Sequence, residues 1–246
     1  MNFIMLINRK SGWLVCAVIF IGAIVWLNEQ DTPENHVSGE LKSMKTMALM
    51  KKYDPQSWQK IYDELLLIEK NNKDPHKVAA LLIPVTENFV LARLPFSADK
   101  DVIAYGKSSV ERLTIIAKNS KEDCLRAIDP SIDGPVNGAT LLKIFPWEMR
   151  ERFDKASSDM IISSYSPDKH QVSESETQQA TNDIGAIIKN LRERFGSDFD
   201  YWQESTADLS KSSVVCDIEL AFWQQVLSTP APRAAAIIRK LNMKAE

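Results

Sequence analysis

The sequence predicts an all-α protein: an N-terminal transmembrane helix followed by a helical domain of about nine or ten helices. Three observations carry that prediction. Residues 11–28 form an uninterrupted uncharged run. Beyond it, apolar residues recur at three- and four-residue spacing, the period of a helix with one buried face. Glycine is sparse, at eight in 246 residues, which argues against a strand-and-turn fold.

The first element is the run at 11–28. Its 18 residues span about 27 Å as a helix, close to the roughly 30 Å hydrocarbon core of a bilayer. Trp13 and Trp26 bracket it, where indole rings favour the headgroup level. A cleaved export signal would end on small residues, whereas residues 24–28 read Ile-Val-Trp-Leu-Asn. Cys16 lacks the small residue expected before a lipidated cysteine. The run reads as a permanent anchor, with a soluble buried helix as the alternative.

Arg9 and Lys10 precede the anchor, and Glu29, Asp31, Glu34 and Glu40 follow it. Basic flanks stay cytoplasmic, so residues 1–10 are expected as a cytoplasmic tail of an inner-membrane protein. Residues 29–39, polar and without apolar period, read as a linker, and 40–246 as a helical periplasmic domain.

Within that domain Leu41, Met44, Met47 and Ala48 open a helical face. Asp54-Pro55 then supplies a cap and a first-turn proline, followed by Trp58, Ile61, Leu65 and Ile68 in register. Asp74-Pro75 repeats the device, and Pro84 is expected to kink or split the helix behind it. Residues 99–118 make a further helix, and Ser120 with Asp123 resembles a cap for a short one holding Cys124. Residues 129–138 read as a loop. Pro146 opens a helix with Trp147, Phe153 and Met160 on its packed face. Residues 166–175 are polar and read as a flexible loop. A long helix with Ile184, Ile187, Ile188 and Leu191 stops at Gly196. Residues 215–227 and a last segment with Ala235, Ile238 and Leu241 complete the chain, with Pro230 and Pro232 between them. Strand propensity could override the helical reading at 159–165 and 212–216.

Composition limits the partners. The formal charge is −3, and removing Arg9 and Lys10 leaves −5 for the remainder. A mildly acidic domain is a poor match for nucleic acid. The expected partners are the inner membrane and a periplasmic or membrane protein.

Cys124 and Cys216 are the two cysteines of the exported part. Outside the cytoplasm they are expected to pair, closing a loop worth roughly 4 to 5 kcal/mol in the chain-entropy picture. Two buried thiols that never meet are the alternative.

Around these cysteines, residues 104–136 ("AYGKSSVERLTIIAKNSKEDCLRAIDPSIDGPV") and 214–241 ("VVCDIELAFWQQVLSTPAPRAAAIIRKL") resemble segments of a group of bacterial proteins. That group has an N-terminal membrane anchor, a helical exported domain and paired cysteines. The matching positions are Cys124, Pro130, Gly134, Cys216, Trp223, Leu227 and Pro230. The two segments together cover about a quarter of the chain. It implies topology and a paired-cysteine frame, and no activity.

His36, His76 and His170 are far apart and have no ligand-spaced neighbours, so no metal is expected. There is no nucleophile elbow and no glycine-rich phosphate cradle, so no nucleotide and no cofactor are expected. Asp129, Ser131, Asp133 and Gly134 imitate the start of a calcium loop, but Thr140 stands where its closing glutamate belongs. Glu148, Glu151, Asp198 and Asp200 lie near Trp147, Phe153, Tyr201 and Trp202, as a glycan cleft would want. First-turn acids at helix starts explain them as well. Met44, Met47 and Met50 read as a packing stripe. The function expected is therefore binding, as a membrane-anchored accessory protein without catalysis. An immunity protein against an exported toxin and a cell-wall glycan hydrolase are the alternatives.

Overall fold

The computed structural model describes residues 32–71, 75–204 and 209–243. These residues are all-helical, with no strand among them. Ten α-helices of eight residues or more, and two shorter ones, follow in order. They are α1 (Pro33–Ser43), α2 (Lys45–Tyr53), α3 (Pro55–Asn71), α4 (Pro75–Arg93), α5 (Asp99–Asn119) and α6 (Lys121–Ile128). Then come α7 (Gly138–Ile144), α8 (Trp147–Ser164), α9 (Glu174–Phe195), α10 (Phe199–Glu204), α11 (Ser212–Ser228) and α12 (Ala231–Asn242). The expected anchor at 11–28, with Arg9, Lys10, Trp13 and Trp26, lies outside the described residues. Among those described, no helix is long and apolar enough to cross a membrane.

The linker expectation for 29–39 needs correcting from Pro33 onward. The Thr32 hydroxyl accepts from Asn35 N at 3.3 Å and starts α1, which buries Val37 and Leu41 against α3. Two apolar residues four apart are enough to seat one helical face, although composition alone reads as spacer. Pro84 does not split α4, which stays helical from Pro75 to Arg93.

Other local signals act as read. Asp54 Oδ1 accepts from Ser57 N at 3.2 Å, and Ser120 Oγ from Asp123 N at 3.0 Å. Gly196, at φ 58°, ends α9 in a backbone conformation that costs a glycine little. Residues 159–165 and 212–216 are helical apart from Tyr165, with Ile161 and Val215 buried in the helical core.

Helix α5 is the centre of the packing, with α6, α8, α11 and α12 against it. At Gly106 it lies so close to α12 that an added Cβ would stand 2.9 Å from Ile238 Cδ1. The main core runs from α1–α4 through Tyr105 and Phe153 to α9, α11 and α12. A smaller core joins Leu113, Ile116, Leu141, Phe145 and Met149 around Cys124 and Cys216. Those two cysteines form a disulfide between α6 and α11, with Cα atoms 6.0 Å apart.

Buried charge ties the remaining parts together. Arg239 of α12 is 1% exposed, and donates to Glu176 Oε1 (3.1 Å), Asp99 Oδ1 (2.8 Å) and Ser97 O (2.6 Å). Glu176 also meets His170 Nε2 at 2.8 Å, while His170 N donates to Phe96 O at 3.0 Å. The 166–173 segment is thus fastened to the Leu94–Phe96 turn ahead of α5 and to α9 through His170. Its polar composition serves hydrogen bonding here, where the sequence reading took it as a sign of flexibility.

Candidate functional site

Helices α1, α2, α4, α5 and α8 enclose a cleft of about 170 Å³. Its position follows from one capping interaction. A single residue, Met44, separates α1 from α2, and as the N-cap of α2 it has no side-chain oxygen to offer. Asp154 of α8 takes over that role from 108 residues away. Its Oδ2 accepts from Lys45 N at 3.2 Å, and its Oδ1 from Thr46 N at 3.3 Å and Thr46 Oγ1 at 2.9 Å. A carboxylate on exposed N–H groups and the positive helix end is favourable. It holds the α1–α2 corner over α8 and leaves the cleft beside it.

The cleft is mostly apolar inside. Met44, Met47, Val90, Tyr105 and Phe153 line it, and Thr86 and Ser157 add buried hydroxyls that have no hydrogen-bond partner among the described residues. Its rim is charged, with Glu40 on α1, Lys45 on α2, and Arg150, Glu151 and Asp154 on α8. Trp147 stands at the mouth, 62% exposed, with the Arg150 guanidinium 5.2 Å from its ring centre. The sequence reading placed Trp147 on the packed face of its helix. It belongs to the first turn, beyond the reach of the neighbouring helices, so Met149 and Phe153 are buried in its place.

Glu40 is half-buried, and burial pushes its carboxyl above the ordinary range, with the charge of His36 pulling the other way. It makes no hydrogen bond or ion pair through its carboxylate among the described residues. His36 lies against Glu69, 3.7 Å away. Glu151 is exposed and is likewise without an ion-pair partner there.

Behind the Phe153 wall, Arg112 is wholly buried, with its guanidinium 4.0 Å from the Phe153 ring centre and 5.5 Å from that of Phe145. Close to it, burial pushes Glu87 up to about 8 even though the charge of Arg112 pulls it down. A carboxyl that stays protonated at neutral pH keeps this region from carrying a buried anion.

Of the carboxylates singled out from the sequence, only Glu151 lines the cleft. Glu148 is exposed at the start of α8. Asp198 is exposed at the α9–α10 corner, where Asp200 accepts from Arg192 Nη1 at 3.1 Å. The Asp129 loop is a capped turn: Asp129 Oδ1 accepts from Ser131 N at 3.0 Å, and Asp133 is bound by Arg126 Nη2 at 2.6 Å. No group of three or more metal-ligating side chains occurs among the described residues. Met47 and Met50 are fully buried, so the methionine stripe does pack, with Met44 and Met47 facing the cleft. Cys124 and Cys216 form a buried brace away from it.

The sequence reading missed Glu40, Thr86, Arg150 and Ser157. No local signal marks them, since they come from three helices separated by up to 117 positions in the chain. Comparison with protein-family models, curated proteins and solved structures finds no match, so the chemistry of the site rests on its own geometry.

Proposed function

We propose that the chain is a single-pass inner-membrane protein whose helical domain lies in the periplasm and works by binding a partner protein. The observation that carries the binding reading is the cleft: an apolar interior, a charged rim and an exposed tryptophan at the mouth. Interfaces place their energy in such pockets, where one or two large side chains are desolvated and a polar rim surrounds them. The compartment is supported from two sides. Arg9 and Lys10 precede the apolar run at 11–28, and a disulfide between Cys124 and Cys216 suits an oxidising environment.

The test has two arms. A C-terminal alkaline phosphatase fusion should be active and full length, whereas an inactive one paired with a fluorescent C-terminal GFP fusion would overturn the topology. A photo-crosslinking amino acid replacing Trp147 should trap a defined protein in intact cells, and the same group replacing the exposed Leu67 should not. Equal trapping at both positions would sink the cleft as the binding surface.

A second reading, glycan hydrolysis, is favoured by one observation. Glu40, with its raised carboxyl, and Glu151 line the same cleft beside Trp147. The volume weighs against it, because pockets for ligands of drug size or more start at roughly 300 Å³. Release of soluble fragments from purified peptidoglycan, abolished by Glu40→Gln, would establish this reading in place of the binding one.

A further inference from the structure

We propose that the cleft receives a tyrosine side chain of the partner protein, its ring between the apolar walls and its phenol hydroxyl bonded to the hydroxyls of Thr86 and Ser157. This rests on the binding reading above and specifies what is bound. Three buried hydroxyls have no hydrogen-bond partner among the described residues, those of Thr86, Ser157 and Ser158, and the first two line this one cleft. Thr86 is 0% exposed on α4 and Ser157 3% exposed on α8. Within a helix such a group readily bonds the carbonyl four residues back, as Ser109, Thr114 and Thr181 do here. Thr86 and Ser157 forgo that bond, and a buried hydroxyl left unmet is costly. Both side chains turn about one bond, χ1, and threonine in a helix shares two rotamers, so their oxygens can follow an occupant. An occupant that meets them recovers the cost on binding.

Size and charge define the rest of the group. A cavity of about 150 Å³ lined by apolar side chains accommodates benzene, so a cleft of about 170 Å³ holds one six-membered ring with a polar tip. Met47 and Val90 give that ring an apolar surface. Tyr105 and Phe153 are rings themselves, and ring pairs gain beyond the area they bury. The Asp154 carboxylate serves the N-terminus of α2, which leaves two acidic side chains at the rim, Glu40 and Glu151, and two basic ones, Lys45 and Arg150. That balance gives neither a cation nor an anion an advantage, and an ion taken into the apolar interior would lose its hydration. The tip is therefore neutral. Among aromatic side chains, phenylalanine has no tip, and tryptophan carries a donor alone on a two-ring body. Tyrosine has one ring and a hydroxyl that both donates and accepts, matching two hydroxyls that do the same.

The test uses the full-length protein in lipid nanodiscs, with empty nanodiscs as the blank. The probes are two acetylated, amidated tripeptides, Gly-Tyr-Gly and Gly-Phe-Gly, titrated under ligand-observed NMR. The tyrosine probe should bind saturably and about fivefold more tightly than the phenylalanine probe. Phenylalanine is the more apolar of the two, so burial alone gives the opposite order. Combining Thr86→Val with Ser157→Ala removes both hydroxyls with little change of shape. It should bring the two probes to equal affinity without weakening the phenylalanine probe. The urea midpoint of this variant should stay level or rise, because the free protein loses no hydrogen bond. Equal affinities on the unaltered protein, a tyrosine preference that survives the double substitution, no saturable binding of either probe, or a lowered midpoint would overturn the proposal. A tyrosine preference with no protein trapped at Trp147 would remove the partner-binding reading and leave the cleft chemistry standing. Trapping at Trp147 without a tyrosine preference would do the reverse.

Discussion

Trp202 Nε1 donates to Glu219 Oε2 at 2.6 Å, across the junction of α10 and α11. The other carboxylate oxygen accepts from Trp223 Nε1 at 2.5 Å, one turn further along α11. Glu219 is fully buried, and both indoles are buried with it. One acidic side chain therefore orients two large aromatic rings, which pack on Phe199 and Phe222 in tilted and edge-on contacts. Glu219→Ala would leave two buried N–H groups without an acceptor, at a cost on the order of 3 kcal/mol. Urea unfolding with near-UV circular dichroism should show a lower midpoint and a changed tryptophan band. An unchanged midpoint would mean that the rings pack equally well without it.

The disulfide should behave as a single constraint. Cys124→Ser and Cys216→Ser should each lower stability by about 4 kcal/mol, because either one frees a long loop in the unfolded chain. The double substitution should cost no more than either alone. Additive losses in thermal melts would point to independent packing contributions.

Asp154 should matter for the cleft wall more than its exposure suggests. Asp154→Ala removes the acceptor of two backbone N–H groups of α2 and should cost about 1 kcal/mol. Asp154→Asn keeps an acceptor and should lose less than half of that. Hydrogen exchange should quicken at Lys45 and Thr46 in the alanine variant. No change there would show that α2 is held by its packing alone.

Glu87 gives a pH dependence with a defined sign. Its folded carboxyl is pushed up to about 8 and its unfolded one titrates near the ordinary 4.5, so the folded state holds the proton between those limits. Stability from this group is full below about 4.5, falls as pH rises, and is lost above about 8. Glu87→Gln should match the unaltered protein near pH 4 and exceed it near pH 9, by on the order of 2 kcal/mol once solvent screening is allowed for. Urea titrations of both proteins across that range give the difference directly. A constant difference would show that Glu87 is solvated in the folded state.

Most of the helical framework is legible from residue spacing alone. The Asp54-Pro55 start, the Ser120 cap, the Gly196 stop and the stripe through Ile184, Ile187 and Leu191 depend on contacts within a few residues, so local sequence carries them. The pairing of Cys124 with Cys216 was legible less directly, from the compartment that the apolar run at 11–28 implies. Other features were decided by tertiary structure. Residues 33–39 read as spacer until α3 provides a surface for Val37 and Leu41. Trp147 is apolar and in helical register, yet no helix reaches it, and it stays in solvent. The 166–173 segment is held by His170, which answers to Phe96 far upstream in the sequence and to Glu176 on α9. The cleft belongs wholly to this second class: Asp154 caps a helix 108 positions away, and Glu40 and Glu151 become neighbours of one cavity only through that contact. Helical period is a property of adjacent residues, whereas a binding surface forms where separate helices meet, and only the folded chain brings those together.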